Sequence, residues 1–215
     1  MKILIACEES QAVCKEMRRL GHECYSCDII ECSGGHPEWH IMQDVLPLLN
    51  GNCTFKTMDG AEHTIDRKWD MIIAHPPCTY LSNAGARFLY PKGILNEERL
   101  RKGIIAKDFF MAFYYANCDR TAIENPIPSS VYMLPKYSQT IQPYQFGHPF
   151  KKKTCLWLKG LPNLKPTNIV ETAQSTKIAG NWFNKGGKER QRNRAKTFSG
   201  IAKAMADQWA GKADD

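Results

Sequence analysis

The chain has 215 residues, 43% hydrophobic and 24% charged, and its 29 Lys or Arg against 22 Asp or Glu give a net charge of +7. That suits one globular domain with a real core, 1–215, and excludes a disordered chain, a collagen and a coiled coil. The longest apolar run, residues 109–116, is far short of the ~20 residues of a membrane span, and residues 3–7 are too few for a signal peptide's apolar region, so a soluble, cytoplasmic protein with no membrane partner is expected.

Residues 2–6 (KILIA) read as a short buried strand. Ser10 offers a cap for a helix with apolar Ala12, Val13, Met17 and Leu20, and Gly21 ends it. Residues 23–28 read as a second strand that finishes on Asp28. This opening predicts an α/β fold with a doubly wound, mostly parallel sheet. A polar loop spans 32–40, and a short helix is expected over 41–49. Asp59-Gly60 between two alternating runs predicts a hairpin over 53–65. Residues 69–74 (WDMIIA) form the clearest buried strand and run into His75-Pro76-Pro77-Cys78. After a loop to 95, Asn96 caps a helix to about 117, whose apolar side, Leu100, Ile104, Ile105, Phe109, Phe113 and Tyr114, reads as core. Residues 120–124 form the next strand, leading into Asn125-Pro126. A Pro-rich stretch to 144 predicts little regular structure, 153–158 a strand, 160–196 a basic loop region, and 199–209 a last helix.

Nine cysteines, an odd number spread from Cys7 to Cys155, argue for reduced thiols rather than a secreted disulfide framework. Cys24, Cys27, Cys32, His36 and His40 have metal-like spacing. A zinc site needs four convergent ligands, however, and Cys24 and Cys27 on one strand point to opposite faces. They read as core thiols, and no metal is assigned.

The chemistry gathers at two strand ends. In a parallel sheet Pro76-Pro77-Cys78 and Glu124-Asn125-Pro126 open onto one crevice, although 46 positions separate Cys78 from Glu124. A thiolate can attack an electrophilic carbon, and a neighbouring acid can steady a ring as charge develops. The loop after Cys78 carries Gly85 and Gly93 and could close as a lid. Near the other end, residues 177–203 hold eight Lys or Arg and one acid, Glu189. Trp182 ahead of Lys185, Lys188, Arg190, Arg192 and Arg194 suits nucleic acid, where bases stack on rings and cations meet phosphates.

These motifs resemble those of the DNA cytosine carbon-5 methyltransferases. The run 76–85 (PPCTYLSNAG) looks like their nucleophile motif, and Glu124-Asn125-Pro126 like their Glu-Asn-Val, with Pro for Val. The resemblance implies that Cys78 adds to carbon 6 of a flipped or unpaired cytosine in DNA and that Glu124 steadies ring nitrogen 3. The opening strand, helix and acid-tipped strand look like the half that binds S-adenosylmethionine. This assigns Cys7, Glu8, Glu9, Ser10, Asp28 and Ile29 to the cofactor, with Pro76 and Pro77. Asp44 in Gln43-Asp44-Val45, and Thr197 and Ser199 in the tail 196–202 (KTFSGIA), resemble further cofactor motifs. The basic run 151–157 (KKKTCLW) stands where that family has Gln-x-Arg-x-Arg. This puts Lys153 with the catalytic group, and Lys151 and Lys152, with Ser82, Asn83 and Arg87, on nucleic acid.

Three departures stand out. The family's glycine-rich turn is replaced by Cys7-Glu8-Glu9-Ser10, whose acids suit a cationic amine and sulfonium better than a pyrophosphate. The arginines of the basic strand are lysines, which cannot make a bidentate fork. Only about 162–194 stands where a target-recognition domain belongs, so a specificity partner, a short context or a single-stranded substrate is implied, and such economy suits a phage-like genome. Three rivals stay open. One is the same thiol chemistry on a free cytosine nucleotide or with another group transferred. Another is an amino-directed methyltransferase, disfavoured because Cys78 occupies the aromatic position of that motif. The third is an inactive methyltransferase-like fold that binds DNA.

Overall fold

A computed structural model describes residues 1–172 and 196–213. The elements in chain order are β1 (Lys2–Ala6), α1 (Ala12–Arg19), β2 (Glu23–Asp28), β3 (His40–Met42), β4 (Cys53–Lys56), β5 (Glu62–Ile65), β6 (Met71–Ala74), α2 (Asn83–Ala86), α3 (Glu97–Tyr114), β7 (Thr121–Pro126), β8 (Gln139–Ile141), β9 (Thr154–Lys159) and α4 (Ser199–Met205), which runs on into a wider π turn over Ala206–Ala210. Seven strands form one sheet in the order β3-β2-β1-β6-β7-β9-β8. The pairs β3–β2, β2–β1, β1–β6 and β6–β7 are parallel, and β9 runs antiparallel to both neighbours. The fold is therefore α/β with a mostly parallel sheet, as the sequence predicts. The chain winds outward from β1 to β3, then returns to β6 on the other side of β1. That reversal opens a crevice above the carboxyl ends of β1 and β6, where ligands bind in such sheets.

Each face of the sheet is covered. Ile3, Ile5, Met71, Ile73, Ala122 and Leu156 pack with Val13, Cys14 and Met17 of α1 and with Ile201, Ala202 and Met205 of α4. Leu4, Ala6, Ile72, Ala74, Ile123, Cys155 and Trp157 pack on the other side with Phe110 and Phe113 of α3 and with Phe55, Ile65 and Trp69 near the β4–β5 hairpin. Burying one such large apolar side chain contributes about 1.5–3 kcal/mol. Cys24 and Cys27 fall in opposite cores, as strand alternation requires.

Four expectations need correction. Residues 41–49 are not a helix: His40–Met42 extends the sheet and Leu46–Leu48 makes only a 3-10 turn. The Pro-rich stretch holds β8, which pairs on the edge of β9. Asn96 does cap α3, its side-chain oxygen accepting from Arg99 N, but Ile104 and Ile105 stay about half exposed. The helix turns Gly103 inward instead, because the buried ring of Tyr132 lies where a Cβ would stand; its hydroxyl is 2.1 Å from that position. Finally, Ser10 does not cap α1, for a reason found in the candidate site.

Candidate active site

The turn after β1 takes left-handed backbone without glycine. Cys7 (φ 59°) and Gln11 (φ 57°) both adopt it, at a cost of roughly 1–2 kcal/mol per residue. Such strain persists where the surroundings fix it. Here Glu8 N donates to Cys27 O, and the Glu8 carboxylate accepts from Val13 N (2.7 Å) and Cys14 N (3.2 Å). Glu8 thus caps α1 in place of Ser10, with its negative charge on the helix's positive end. Burial nevertheless raises its pKa, against the pull of His75 and of those two amides. Gln11 fastens the turn to the following loop, its amide donating to His36 O (2.8 Å) and its Oε1 accepting from His36 N (3.1 Å). Gly34 is required beneath, since a Cβ would lie 2.5 Å from that of Gln11. Glu9 is buried and its carbonyl accepts from Ser33 N.

Asp28 and Asp44 meet Cys7 at the ends of β2 and β3. Burial pushes the Cys7 thiol well up, and Asp28, Cys27 and Asp44 push it further. Burial also raises Asp28, opposed by the amides of Ile30 and Ile29. Asp44 is exposed, and its Oδ1 accepts from Leu46 N. Ile29 is 75% exposed beside Asp28, and Met42, its β3 neighbour in register, is 50% exposed. The two carboxylates can accept hydrogen bonds from hydroxyl groups such as those of a nucleoside's ribose, and the exposed Ile29 beside Asp28 offers apolar surface.

The second half of the site joins the two strand-end motifs. In the β6–β7 register Ala74 faces Ile123, so His75 follows level with Glu124. His75 Nδ1 donates to Glu124 Oε2 at 2.9 Å, with side chains only 7% and 14% exposed. Asn125 turns the opposite way, and its Nδ2 donates to Pro76 O at 2.9 Å. Strand β7 thus grips both sides of the turn that leads to Cys78. Pro76 is buried and Pro77 exposed, and Cys78 is half-buried with its carbonyl accepting from Ser82 N. All nine cysteines are thiols. Burial alone would lower the His75 pKa, but the bond and charge of Glu124, with Glu8 behind, raise it. Burial alone would raise Glu124, but the bond from His75 and the charges of Lys152 and His75 hold it below the usual carboxyl range.

Glu124 opens into a small pocket shared with Lys152, Thr154, Thr197, Phe198 and Ile201. It is Lys152, half-buried with its ammonium 5.9 Å from the centre of the Phe198 ring, that faces Glu124. Lys153 and Lys151 are exposed, and the charge of Lys153 acts instead on Cys155, two positions along the same stretch of chain. Of the three lysines it is thus Lys152, not Lys153, that lines the pocket with Glu124. Thr197 reaches the pocket, whereas Ser199 is exposed beside His148, whose Nε2 accepts from Gly200 N (3.0 Å). A wider concavity lies elsewhere, lined by Lys15, Arg18, Arg19, Gly21, His22, His36 and Trp39. It brings no thiol or carboxyl group to its wall, and its Arg19 and His36 already pair with Glu16, Asp207 and Glu38.

The segment after Cys78 is stitched down rather than hung free. Asn83 N donates to Ile127 O, Ser129 N to Leu81 O, and Arg99 Nη2 to both Thr79 O and Gly85 O. Gly85 serves packing, since a Cβ would stand 2.8 Å from Arg99 Nη2 and from Thr79 O. Ser82 is buried, while Asn83 and Arg87 are exposed, with the Arg87 guanidinium 4.7 Å from the Phe88 ring centre. Trp182, Lys185, Lys188, Arg190, Arg192 and Arg194 lie outside the described residues.

Among known proteins, no family model matches the chain, and no curated sequence matches it. Function therefore has to be argued from the site. Sequence reading singled out Cys78, Glu124, Asp28 and Asp44 and put Lys152 on nucleic acid, but did not join His75 to Glu124, Arg99 to the segment after Cys78, or Lys152 to the Glu124 pocket. The signal for His75 was its place directly after β6, level with Glu124. The signal for Lys152 was the period of two along the strand that follows it.

Proposed function

We propose that the protein transfers a methyl group from S-adenosylmethionine to carbon 5 of cytosine in DNA, with Cys78 as nucleophile. The observation that carries this reading is the junction of the two strand-end motifs, in which β7 holds the Cys78 turn through Asn125 and His75 while Glu124 lines a pocket with Lys152 and Thr197. Support also comes from the mostly parallel sheet, the crevice at its reversal point and the motif order along the chain. Asp28, Asp44, Ile29 and the 7–11 turn would hold the cofactor, whose acceptor-poor sulfonium supplies an electrophilic methyl group.

The thiolate of Cys78 adds to ring carbon 6 and turns carbon 5 into a nucleophile. Glu124 steadies ring nitrogen 3 and the exocyclic amine in this reading, as charge develops there. Lys152 offsets negative charge at the pocket mouth. After transfer, water acting as base takes the carbon-5 proton, the carbon-5–carbon-6 double bond re-forms, and the sulfur–carbon-6 bond breaks to release the thiolate. The test is transfer of labelled methyl to duplex DNA, with mass analysis of the modified base and Cys78→Ser alongside. Label on cytosine carbon 5 that the variant loses supports the reading; label that survives Cys78→Ser refutes it.

A second reading moves the same chemistry to a free cytosine nucleotide. It is favoured by the described residues 160–172, which pack back on the body. Asn168 bridges to Phe146, Trp209 Nε1 donates to Pro162 O, and Lys165 N to Gln208 Oε1. Competition between short nucleotides and duplex DNA separates the two.

A further inference from the structure

We propose that His75 is the store of the proton that Glu124 presents to the substrate ring, acting as a positioning residue one step behind the carboxyl group. The substrate step rests on the cytosine reading above; the proton-sharing pair does not.

The argument starts from a conflict within the site. A carboxylate cannot donate a hydrogen bond, and ring nitrogen 3 of cytosine carries a lone pair. Yet Glu124 sits beside Lys152 and accepts from His75, an arrangement that favours its ionised form. A proton therefore has to reach Glu124 from a neighbour. Two charged groups face the pair from other elements: Glu8 from the β1 turn and Lys152 from the approach to β9. Of the residues in this group only the imidazole both carries a proton near neutrality and is already bonded to the carboxylate, at 2.9 Å. Glu8 strengthens the store from behind by favouring the cationic ring. His75 Nε2 is buried with no hydrogen-bond partner among the described residues, so one ring nitrogen is committed to Glu124 and the other carries no competing bond.

The step balances as follows. At rest the proton is on Nδ1 and Glu124 is a carboxylate. As substrate binds, the Nδ1–H bond breaks, an O–H bond forms on Glu124, and His75 becomes neutral with its proton on Nε2. The carboxyl group turns about its terminal bond and donates to ring nitrogen 3. When the sulfur–carbon 6 bond forms, the displaced ring electron pair is taken up at nitrogen 3 by that proton. When the thiolate leaves, the proton returns by the same path, so no external acid is consumed.

Two measurements test this. First, the histidines of the intact protein are followed by NMR as a function of pH, with His75 assigned by His75→Asn and, if that variant misfolds, by His75→Gln. The His75 midpoint is expected to fall by at least about one pH unit in Glu124→Gln. A midpoint that Glu124→Gln leaves unmoved overturns the pair. Second, methyl transfer to cytosine DNA is followed against pH. His75→Asn keeps an amide donor to Glu124 but no exchangeable store. It is expected to lose about a hundred-fold near pH 8 and to regain rate toward pH 6, where solvent can protonate Glu124. A His75→Asn profile parallel to that of the parent overturns the relay. If the parent transfers no methyl at all, the cytosine reading fails, and the titration alone decides the pair.

Discussion

Asn125→Ala and Asn125→Asp test the junction on which the site depends. Asn125 is 1% exposed, and its Nδ2 holds the carbonyl of buried Pro76 at 2.9 Å. Removing the donor leaves that carbonyl unsatisfied, which costs about 1–3 kcal/mol. Asn125 Oδ1 is itself buried without a partner among the described residues, and its removal returns about 1 kcal/mol. Asn125→Ala is therefore expected to lose up to about 2 kcal/mol, a fall in Tm of up to a few degrees for a chain of this size. Asn125→Asp keeps the shape but sets a carboxylate against a carbonyl. Burial then raises its folded pKa above the unfolded value of about 3.9. A raised folded pKa means stability that is fully present below the unfolded value and is lost as pH rises through the folded one. The Asp variant is thus expected near the parent at about pH 4, where its O–H can donate to Pro76, and roughly 2 kcal/mol below Asn125→Ala at about pH 7. Urea titrations across that range, compared at constant m value, read both curves. An Asp variant as stable as the Ala variant at neutral pH refutes the assigned bond.

Three further outcomes follow from the same geometry. The His75–Glu124 pair should stabilise the fold most between the ordinary carboxyl and imidazole values: the raised His75 loses its contribution as pH rises through its folded pKa, the lowered Glu124 as pH falls through its own, and a Tm–pH curve for Glu124→Gln should be flatter on both limbs. Gly85→Val should displace Arg99 from Thr79 O and Gly85 O, cost about 1–3 kcal/mol and expose residues 79–95 to limited proteolysis; unchanged cleavage there contradicts the packing role. If Lys152 meets a phosphate, Lys152→Met should reduce the slope of log affinity against log salt for duplex DNA by about 0.9, whereas an equal slope with lower affinity would place it on the base instead.

Much of the architecture was legible because local rules and the global fold agree. The run KILIA, the acid at the end of β2, the WDMIIA strand and the Asp59-Gly60 hairpin carry their own periodicity and turn chemistry, and each stands where expected. Strand β8 was not legible, because three residues in a Pro-rich stretch have no period to read and pair only because β9 offers an edge. The buried side of α3 was misread for a related reason: its pattern favours Ile104 and Ile105, but Tyr132, which lies beyond the end of the helix in the chain, needs the bare surface of Gly103. Ser10 looked like a cap, and Glu8 took that place because the left-handed residues Cys7 and Gln11 fold the turn back over the helix end.

The sequence by itself determined that Cys78 and Glu124 stand at the ends of successive strands, because hydrophobic runs and the residues that stop them are local properties. Only the tertiary structure decided what each end residue touches: His75 on Glu124, Asn125 on Pro76, and Lys152 rather than Lys153 at the pocket. Those contacts depend on strand register and on which face each side chain takes. A displacement of one residue reverses every face, so they are fixed by the packing of the whole sheet between its two helical layers rather than by any short stretch of chain.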